Sequence, residues 1–265
     1  MLSASCRSPV TMTELTRLKR ALKGFFRTTL LILGVLLIAT AIRTFLFHPF
    51  DIPSGSMEPT LLVGDYLFVS KFNYGYTHFS LPFSPPLFSG RIFAFHRPDR
   101  GDVVVFRLPS DNSDDYIKRV IGLPGDRIQL IDGVVHINGT AVERQRIADF
   151  VGRNPCAPSE NADMAQVAQW RETLPNGVSY ITLNCRSLVG FPDNTEVYTV
   201  PPNQYFMMGD NRENSEDSRF AQVGYVPFEN LIGRAQIIFF SLSDQAPGWR
   251  WPWEVRWSRL ITIVR

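Results

Sequence analysis

Three polar stretches carry the residues whose types and spacing could perform chemistry. They are residues 53–61 (PSGSMEPTL), 116–126 (YIKRVIGLPGD) and 209–219 (GDNRENSEDSR). A serine hydroxyl becomes an effective nucleophile when a nearby base removes its proton, and histidine is the usual base. The four histidines, however, lie outside these stretches, at His48, His78, His96 and His136. A lysine is therefore the better candidate for the base.

Lys118 lies in the run YIKRVIGL, whose apolar and β-branched residues predict a β-strand. Alternate side chains of a strand share a face, so Lys118 would lie beside Tyr116, Val120 and Gly122. Burial among apolar neighbours disfavours the charged amine and lowers its pKa toward neutrality, as a general base requires. The alternative, an exposed lysine on an edge strand, is more common among lysines in general.

One apolar segment precedes the first polar stretch and predicts a transmembrane anchor at residues 25–47, behind a basic tail at residues 1–24. Six Lys and Arg residues against one acidic residue before position 28 predict a cytoplasmic N-terminus, with the rest of the chain exported. A cleavable signal peptide is the alternative, since Ala39-Thr40-Ala41 has a small-x-small cleavage pattern. The apolar run continues beyond that point to Phe47, which favours the uncleaved anchor.

The chain after residue 47 has the pattern of a β protein. Short β-branched or aromatic runs predict strands at residues 66–70, 102–107, 115–122 and 232–241. Asp132-Gly133, between two such runs, predicts a two-residue hairpin, and Asn138-Gly139 predicts the next turn. Residues 150–175 have little strand character, and a short helix near residues 162–171 or an irregular insert is expected there.

Composition excludes some classes of protein and leaves the cysteines open. With 45% hydrophobic and 20% charged residues the chain is expected to fold, and a net charge of +2 gives no nucleic-acid-binding signature. Cys6, Cys156 and Cys185 form no C-x-x-C pair, so a zinc ribbon is not expected. Cys156 and Cys185 could form a disulfide in an oxidising compartment, or they could remain thiols.

Four tryptophans cluster near the C-terminus, at Trp249, Trp251, Trp253 and Trp257. Tryptophan interleaved with arginine is typical of a membrane interface, where the amphipathic ring lies at headgroup depth. The same rings could instead close the β core. The sequence leaves both interpretations open.

The polar stretches together resemble the type I signal peptidases, serine endopeptidases that remove signal peptides from exported proteins. The resemblance rests on four motifs: S-x-S-M-x-P-T-L at residues 54–61, R-G-D-V-V-V-F at 100–106, Y-I-K-R-V-x-G-x-P-G-D at 116–126 and G-D-N-R-x-N-S-x-D-S-R at 209–219. Their order, behind one N-terminal span, makes the resemblance specific. One departure is Glu213, where family members often carry Asp.

The resemblance implies a role for each matching residue. Ser56 is the nucleophile and Lys118 the general base, while Ser54 and the main-chain N–H of Ser56 form the oxyanion hole, whose donors stabilise the tetrahedral intermediate. Ser215 resembles the serine that holds the lysine amine by a hydrogen bond. Supporting ion-pair residues are implied at Asp217, Arg219 and Arg119. Shallow apolar pockets for small substrate residues, and contacts to the substrate main chain, are implied at Phe50, Ile52, Leu61, Tyr116 and Ile117.

We therefore expect a mainly β fold, with a β core of the kind shared by signal peptidases and self-cleaving repressors. The catalytic core would comprise residues 48–127 and 204–265, and residues 128–203 would form an inserted, β-rich second lobe. The implied partners are signal peptides of exported preproteins and the lipid bilayer of the bacterial plasma membrane, together with the secretion machinery; nucleic acid is not expected. The implied acyl transfer needs no metal and no cofactor.

Two other functions remain open from the sequence. Another peptidase with a Ser/Lys dyad would share the catalytic residues, although a DNA-binding repressor relative is disfavoured by the apolar span. A membrane-anchored binding module with an inactive site is the non-enzymatic alternative. A β-lactamase-type site would need a lysine three residues after the serine, and Pro59 occupies that position.

Overall fold

The structure, a computed structural model, describes residues 12–81, 84–156, 163–185, 192–243 and 254–265; for residues 12–19 and 21 it describes only the backbone. The chain divides into two compact units, Met1–Arg43 and Thr44–Arg265. The first unit contains most of a long helix, and the second contains the β-sheets that carry the three polar stretches.

Helix α1 (Met12–Phe45) contains a segment, Leu22–Phe45, that is long and apolar enough to cross a membrane, with a mean hydropathy of 2.2. Large apolar side chains along it are exposed, Leu37 to 72% of its area, which suits lipid rather than water. The helix ends two residues before the predicted limit at residue 47. Pro49 accounts for this difference, because a proline disfavours helical backbone in the residue before it.

The described part of the second unit contains sixteen strands, so the prediction of a mainly β fold is confirmed. They are β1 (Phe47–Asp51), β2 (Asp65–Ser70), β3 (Val103–Arg107), β4 (Asp115–Gly122), β5 (Arg127–Ile131), β6 (Val134–Ile137), β7 (Thr140–Ala141), β8 (Glu143–Arg146), β9 (Phe150–Arg153), β10 (Met164–Thr173), β11 (Ser179–Asn184), β12 (Tyr198–Thr199), β13 (Gln204–Met208), β14 (Val226–Pro227), β15 (Leu231–Ser241) and β16 (Thr262–Ile263).

The largest sheet has the strand order β1-β2-β15-β3-β4-β13-β14, with β16 paired to β15. All of its pairings are antiparallel. Strand β4 lies inside this sheet, and Lys118 is opposite Val104 of β3. Val104 and Val120 pack in one buried apolar cluster, with Tyr116 against it. The sheet therefore places Lys118 beside apolar side chains, as its predicted strand position required.

Two four-stranded sheets, β12-β5-β6-β7 and β11-β10-β8 with β9 on β10, account for the strands between the two halves of the largest sheet. The predicted hairpin at Asp132-Gly133 joins β5 to β6, and Asn138-Gly139 joins β6 to β7. Both residues of each turn have positive φ: Asp132 49°, Gly133 72°, Asn138 54° and Gly139 85°. This is the turn geometry that Asp-Gly and Asn-Gly favour.

The expectation of a helix or irregular insert near residues 162–171 is wrong. Strand β10 occupies this region and pairs with β11 along one edge and with β8 and β9 along the other. Exposure along β10 alternates only weakly, so the period-2 signal that identifies a half-buried strand is missing from the sequence. The cross-strand pairing, which local sequence does not encode, determines its conformation.

Cys156 and Cys185 form a disulfide, with a Cα–Cα separation of 5.7 Å. This separation lies in the usual range for the bond. The disulfide closes the β9–β10–β11 region by joining the residues that follow β9 to those that follow β11. Of the two possibilities left open by the sequence, the disulfide is the one present.

The tryptophan cluster is described only at one end. Trp249, Trp251 and Trp253 lie outside the described residues, whereas Trp257 begins a short 3-10 turn (Trp257–Arg259) and is 59% exposed. Trp257 itself therefore does not fill the β core.

Candidate active site

The first polar stretch forms a short 3-10 turn at Gly55–Met57, directly after β1. The turn buries Ser56 and Met57, and the Met57 side chain anchors it in the apolar cluster beneath. The main-chain N–H of Asn211 donates to the Ser56 carbonyl over 3.1 Å, and the Asn211 side-chain amide donates to the Gly55 carbonyl over 3.1 Å. The third polar stretch therefore fixes the backbone that carries the Ser56 hydroxyl.

Lys118 and Ser56 are brought together, although 62 positions separate them in sequence. Lys118 Nζ donates to Ser56 Oγ over 2.7 Å, and the two residues are only 4% and 7% exposed. Burial lowers the pKa of Lys118 from 10.5 to about 8, against the opposing effect of the carboxylates of Asp217 and Asp210. A neutral amine at this distance can accept the hydroxyl proton, which is the geometry of a general base and its nucleophile.

Ser54 lies beside the nucleophile with its side chain accessible to solvent. Its Oγ is 3.3 Å from Ser56 Oγ, within hydrogen-bonding distance. A hydroxyl in this position can donate to an oxygen that develops negative charge on a carbon attacked by Ser56. The structure thus brings the predicted oxyanion donor to the predicted nucleophile.

Ser215 lies in the wall of the site but does not make the predicted contact. Within the described residues, Lys118 Nζ donates to Ser56, whereas the buried Ser215 side chain interacts with Asp217 and helps to lower the pKa of that carboxylate. Ser215 packs tightly against Gly209, where a Cβ atom would lie 2.2 Å from Ser215 Oγ and 2.5 Å from the Ser56 carbonyl. Only glycine fits there, because a side chain would displace the nucleophile turn.

Asp217 and Arg219 form the predicted ion pair. Arg219 Nε and Nη2 each contact the carboxylate over 2.8 Å, and Asp217 also accepts the Gly209 N–H over 3.0 Å. Although burial acts to raise it, the pKa of Asp217 stays below its usual value because Arg219 lies beside the carboxylate and donates hydrogen bonds to it. The pair holds the third polar stretch around Gly209.

Arg119 has a partner that the sequence did not indicate. It pairs with Asp210 rather than joining Asp217 and Arg219, with Nε–Oδ1 at 2.8 Å and Nη2–Oδ2 at 2.6 Å. Arg119 also donates to the Gly101 carbonyl, and Asp210 accepts from the Thr60 hydroxyl. All three polar stretches therefore meet at this buried ion pair. Asp210 belongs to the G-D-N-R motif, and that motif is the sequence feature that could have identified it as a site residue.

The residues implied for substrate binding divide by exposure. Ile52, Leu61 and Ile117 are buried together in one apolar cluster, while Phe50 and Tyr116 are only partly buried. Phe50 packs against this cluster and offers accessible apolar surface beside it. Tyr116 packs instead against the cluster that contains Val104 and Val120, on the other face of β4 from Ile117. Strand β1, which carries Phe50, lies at one end of the largest sheet. Such an edge can accept an extended peptide as an added strand.

A third buried ion pair, between Glu172 of β10 and Arg212, was missed by the sequence reasoning. Arg212 Nη1 donates to Glu172 Oε1 over 3.0 Å, its Nη2 contacts Oε2, and Tyr180 donates to the same carboxylate over 3.0 Å. Glu172 falls in the stretch without a strand pattern, so nothing in the sequence singled it out. The pair ties the β10–β11 region to the third polar stretch.

A mainly β unit that places a buried lysine on a serine hydroxyl is suited to acyl transfer, and the comparisons with known proteins agree that the chain is a serine peptidase. A family model described as "Signal peptidase, peptidase S26" matches residues 25–240. The chain belongs to this family, the type I signal peptidases.

The relatives and one solved structure carry the same family name. Signal peptidase I of Rickettsia typhi is 47% identical over 214 residues, which cover 78% of this chain and 77% of the relative. Signal peptidase I of Rickettsia conorii is also 47% identical, over 78% of this chain and 76% of the relative. A crystal structure of a signal peptidase I from Enterococcus faecalis V583 covers 53% of this chain and 98% of its own, with 24% identity and a TM-score of 0.30.

Proposed function

We propose that this signal peptidase is a membrane-bound endopeptidase that removes signal peptides after small residues, of the Ala-x-Ala type, by a Ser/Lys dyad. Ser56 is the nucleophile and Lys118 the general base. The observation that carries the proposal is the 2.7 Å contact between Lys118 Nζ and Ser56 Oγ in a buried site. Burial supplies the lowered lysine pKa without which the amine would stay protonated.

The proposed reaction proceeds in two acyl-transfer steps. Neutral Lys118 accepts the Ser56 hydroxyl proton as Oγ attacks the scissile carbonyl, and Ser54 with the Ser56 N–H stabilises the oxyanion. The lysine proton then passes to the leaving amine, which frees the mature protein and leaves an ester on Ser56. Lys118 next takes a proton from water, whose hydroxide attacks the ester, and the proton returns to Ser56. Ser215, Asp217, Arg219 and Arg119 support the site without contact to the reacting atoms.

The proposed substrate is the extended end of a signal peptide, paired with edge strand β1. Its small side chains would lie in shallow pockets over the apolar floor formed by Ile52, Leu61 and Ile117, beside Phe50. The substrate main chain would contact the strand backbone at Tyr116. Since that floor is already packed, it leaves room for alanine but not for a large side chain.

We also propose where the protein is located and how its residues divide into domains. The helix segment Leu22–Phe45 anchors the protein as a single span of the bacterial plasma membrane, and the basic flank keeps the N-terminus cytoplasmic. The Cys156–Cys185 disulfide supports an extracytoplasmic location for the second unit, because such bonds persist in oxidising compartments.

Residues 48–127 and 204–265 form the proposed catalytic core, and residues 128–203 form the second lobe. The bilayer and the secretion machinery are the proposed partners besides the preprotein.

Cleavage of a purified preprotein in detergent tests the proposed activity. A preprotein with Ala at −3 and −1 should yield one new N-terminus, directly after the −1 residue, when the product is sequenced. Leucine at −1 should lower kcat/KM roughly 100-fold because the larger side chain clashes with the pocket floor. Leucine at −2, where the side chain points away from the pockets, is the matched control and should be cut normally. Equal cleavage with leucine at −1, or cutting at unrelated sites, would contradict the proposal.

The pH dependence of kcat/KM should report the deprotonation of Lys118. Below about pH 8 most of the amine is protonated, so the rate should rise about tenfold per pH unit and level off above that value. Glu58 also titrates in this range, because burial raises its pKa to about 7, and its carboxyl lies against Gly55. Glu58→Gln is the control: if Lys118 is the group that titrates, the variant should still show the rise in kcat/KM with pH. If the rise disappears in Glu58→Gln, it reports the deprotonation of Glu58 and not of Lys118.

A further inference from the structure

The side chain of Asn211 lies at a junction that the dyad mechanism does not use. The residue is fully buried, and its amide Nδ2 donates both to the Gly55 carbonyl over 3.1 Å and to the Pro155 carbonyl over 2.8 Å. Its main-chain N–H donates to the Ser56 carbonyl. A single asparagine thus connects the nucleophile turn to the second lobe.

The second lobe contacts residues 210–212 near both cysteines of its disulfide, and Cys185 Sγ itself lies 3.4 Å from Asn211 Oδ1. Pro155, which accepts the Asn211 amide, directly precedes Cys156. On the other side, Leu183 lies two residues before Cys185, donates to the Asp210 carbonyl over 2.9 Å and accepts from the Arg212 N–H over 3.2 Å. The disulfide therefore fixes the distance between two lobe segments that both bond the backbone or side chain around Asn211.

We propose that Asn211 is a positioning residue, which transmits the constraint of the Cys156–Cys185 disulfide to Ser56. The inference rests on the proposed function, since it requires Ser56 to be the nucleophile. With the disulfide closed, the Pro155 carbonyl is held in place, the Asn211 amide is fixed by it, and the Gly55–Met57 turn is held at its reactive distance from Lys118. A displacement of about 1 Å at a reacting group can cost about 100-fold in rate.

Asn214 provides a matched control within the same segment. Its side-chain amide donates to the same Pro155 carbonyl over 2.8 Å, and within the described residues it makes no hydrogen bond to Gly55 or Ser56. Loss of the Asn214 amide therefore removes an equivalent contact to the lobe but leaves the nucleophile turn connected through Asn211. A role in general packing would predict similar effects at the two positions.

The test is a double-mutant cycle on the full chain in detergent, with preprotein cleavage as the assay. Asn211→Ala should lower kcat by about 10- to 100-fold with little change in KM, because the turn is misplaced while the substrate surface remains. Replacing both Cys156 and Cys185 with serine should lower kcat by a smaller factor, about 3- to 10-fold. The combined variant should lose less activity than the product of the two single losses, since both changes interrupt the connection through Pro155. Asn214→Ala should stay within about threefold of the wild type.

Reduction of the wild type gives a second readout. A thiol reductant should lower kcat by the same factor as the cysteine replacements, and it should have no effect on the variant lacking Cys156 and Cys185, although Cys6 is still present. It should slow Asn211→Ala by a smaller factor than it slows the wild type. If Asn211→Ala fails to fold, judged by its thermal unfolding, Asn211→Leu replaces it throughout the cycle, because leucine removes the same donor, has a similar branched shape and adds no buried charge.

The possible results distinguish the positioning role of Asn211 from the proposed peptidase activity on which it depends. If Ser56→Ala still cuts the preprotein, the proposed function itself fails. If Ser56→Ala is inactive and the Asn211 variant keeps normal kcat, only the positioning role is overturned. Multiplicative losses in the combined variant, or an equal loss in Asn214→Ala, would likewise overturn it. A non-additive loss confined to Asn211 and the disulfide supports it.

Discussion

Replacing Lys118 with alanine should abolish preprotein cleavage while the protein stays folded, and Ser56→Ala should do the same. Without the amine, 2.7 Å from Ser56 Oγ, no described group is placed to remove the hydroxyl proton. General-base catalysis alone is worth up to about 10⁴-fold in rate, so loss of the base should leave at most a trace of activity. The fold should survive because Asp217, the nearby carboxylate, keeps its partner Arg219.

The informative control is Lys118→Arg, measured beside Lys118→Ala by the rate of preprotein cleavage and by thermal unfolding. Arginine keeps a donor and a positive charge near Ser56, but it does not deprotonate in proteins and cannot act as a base. It should therefore be as inactive as alanine, at any pH at which the protein is folded. Substantial activity in Lys118→Arg would mean that the lysine only holds the serine and that the base lies elsewhere.

Much of the local structure followed from the sequence, because the signals for it are local. Asp132-Gly133 specifies its hairpin through the positive φ that both residues adopt, and the run around Lys118 specifies a strand through its β-branched residues. Ser56 and Lys118 were identified by motifs of a known family, and the fold then brought the two side chains together. Burial of Lys118 followed correctly from the alternation of side chains on β4.

The resemblance implied the Asp217–Arg219 pair, which the structure contains, but the sequence did not indicate the partners of Arg119 and Arg212. Sequence spacing does not decide which carboxylate each of these two arginines meets. In the structure Arg119 pairs with Asp210, and Arg212 pairs with Glu172. Glu172 lies in β10, a strand that the sequence pattern did not predict. These choices depend on the packing of β10 and β11 against the third polar stretch, and that packing joins segments distant in sequence.

The Arg119–Asp210 pair leads to the largest expected effect on stability. Both side chains are at most 1% exposed, and the carboxylate receives two hydrogen bonds from the guanidinium. Asp210→Ala would leave a buried positive charge with carbonyl partners such as Gly101 but no counter-charge. Breaking a buried pair in this way costs about 3–5 kcal/mol, a large share of the stability of a typical domain.

Thermal unfolding of the full chain in detergent, followed by near-UV circular dichroism, should therefore show a midpoint about 10 °C lower for Asp210→Ala than for the wild type. Asp115→Ala is the matched control: it breaks the Arg107–Asp115 pair between β3 and β4, whose side chains are 17% and 29% exposed. That change should cost no more than about 1 kcal/mol, because water solvates the arginine left behind.

A third variant separates the cost of the unpaired charge from the loss of packing. Adding Arg119→Met to Asp210→Ala removes the stranded guanidinium, so the double variant should recover part of the lost midpoint. If it unfolds below Asp210→Ala instead, the hydrogen bonds from Arg119 to carbonyl groups such as Gly101 contribute more than the charge pair does. If Asp210→Ala and Asp115→Ala shift the midpoint equally, burial adds nothing to this ion pair and the argument for its structural role is wrong.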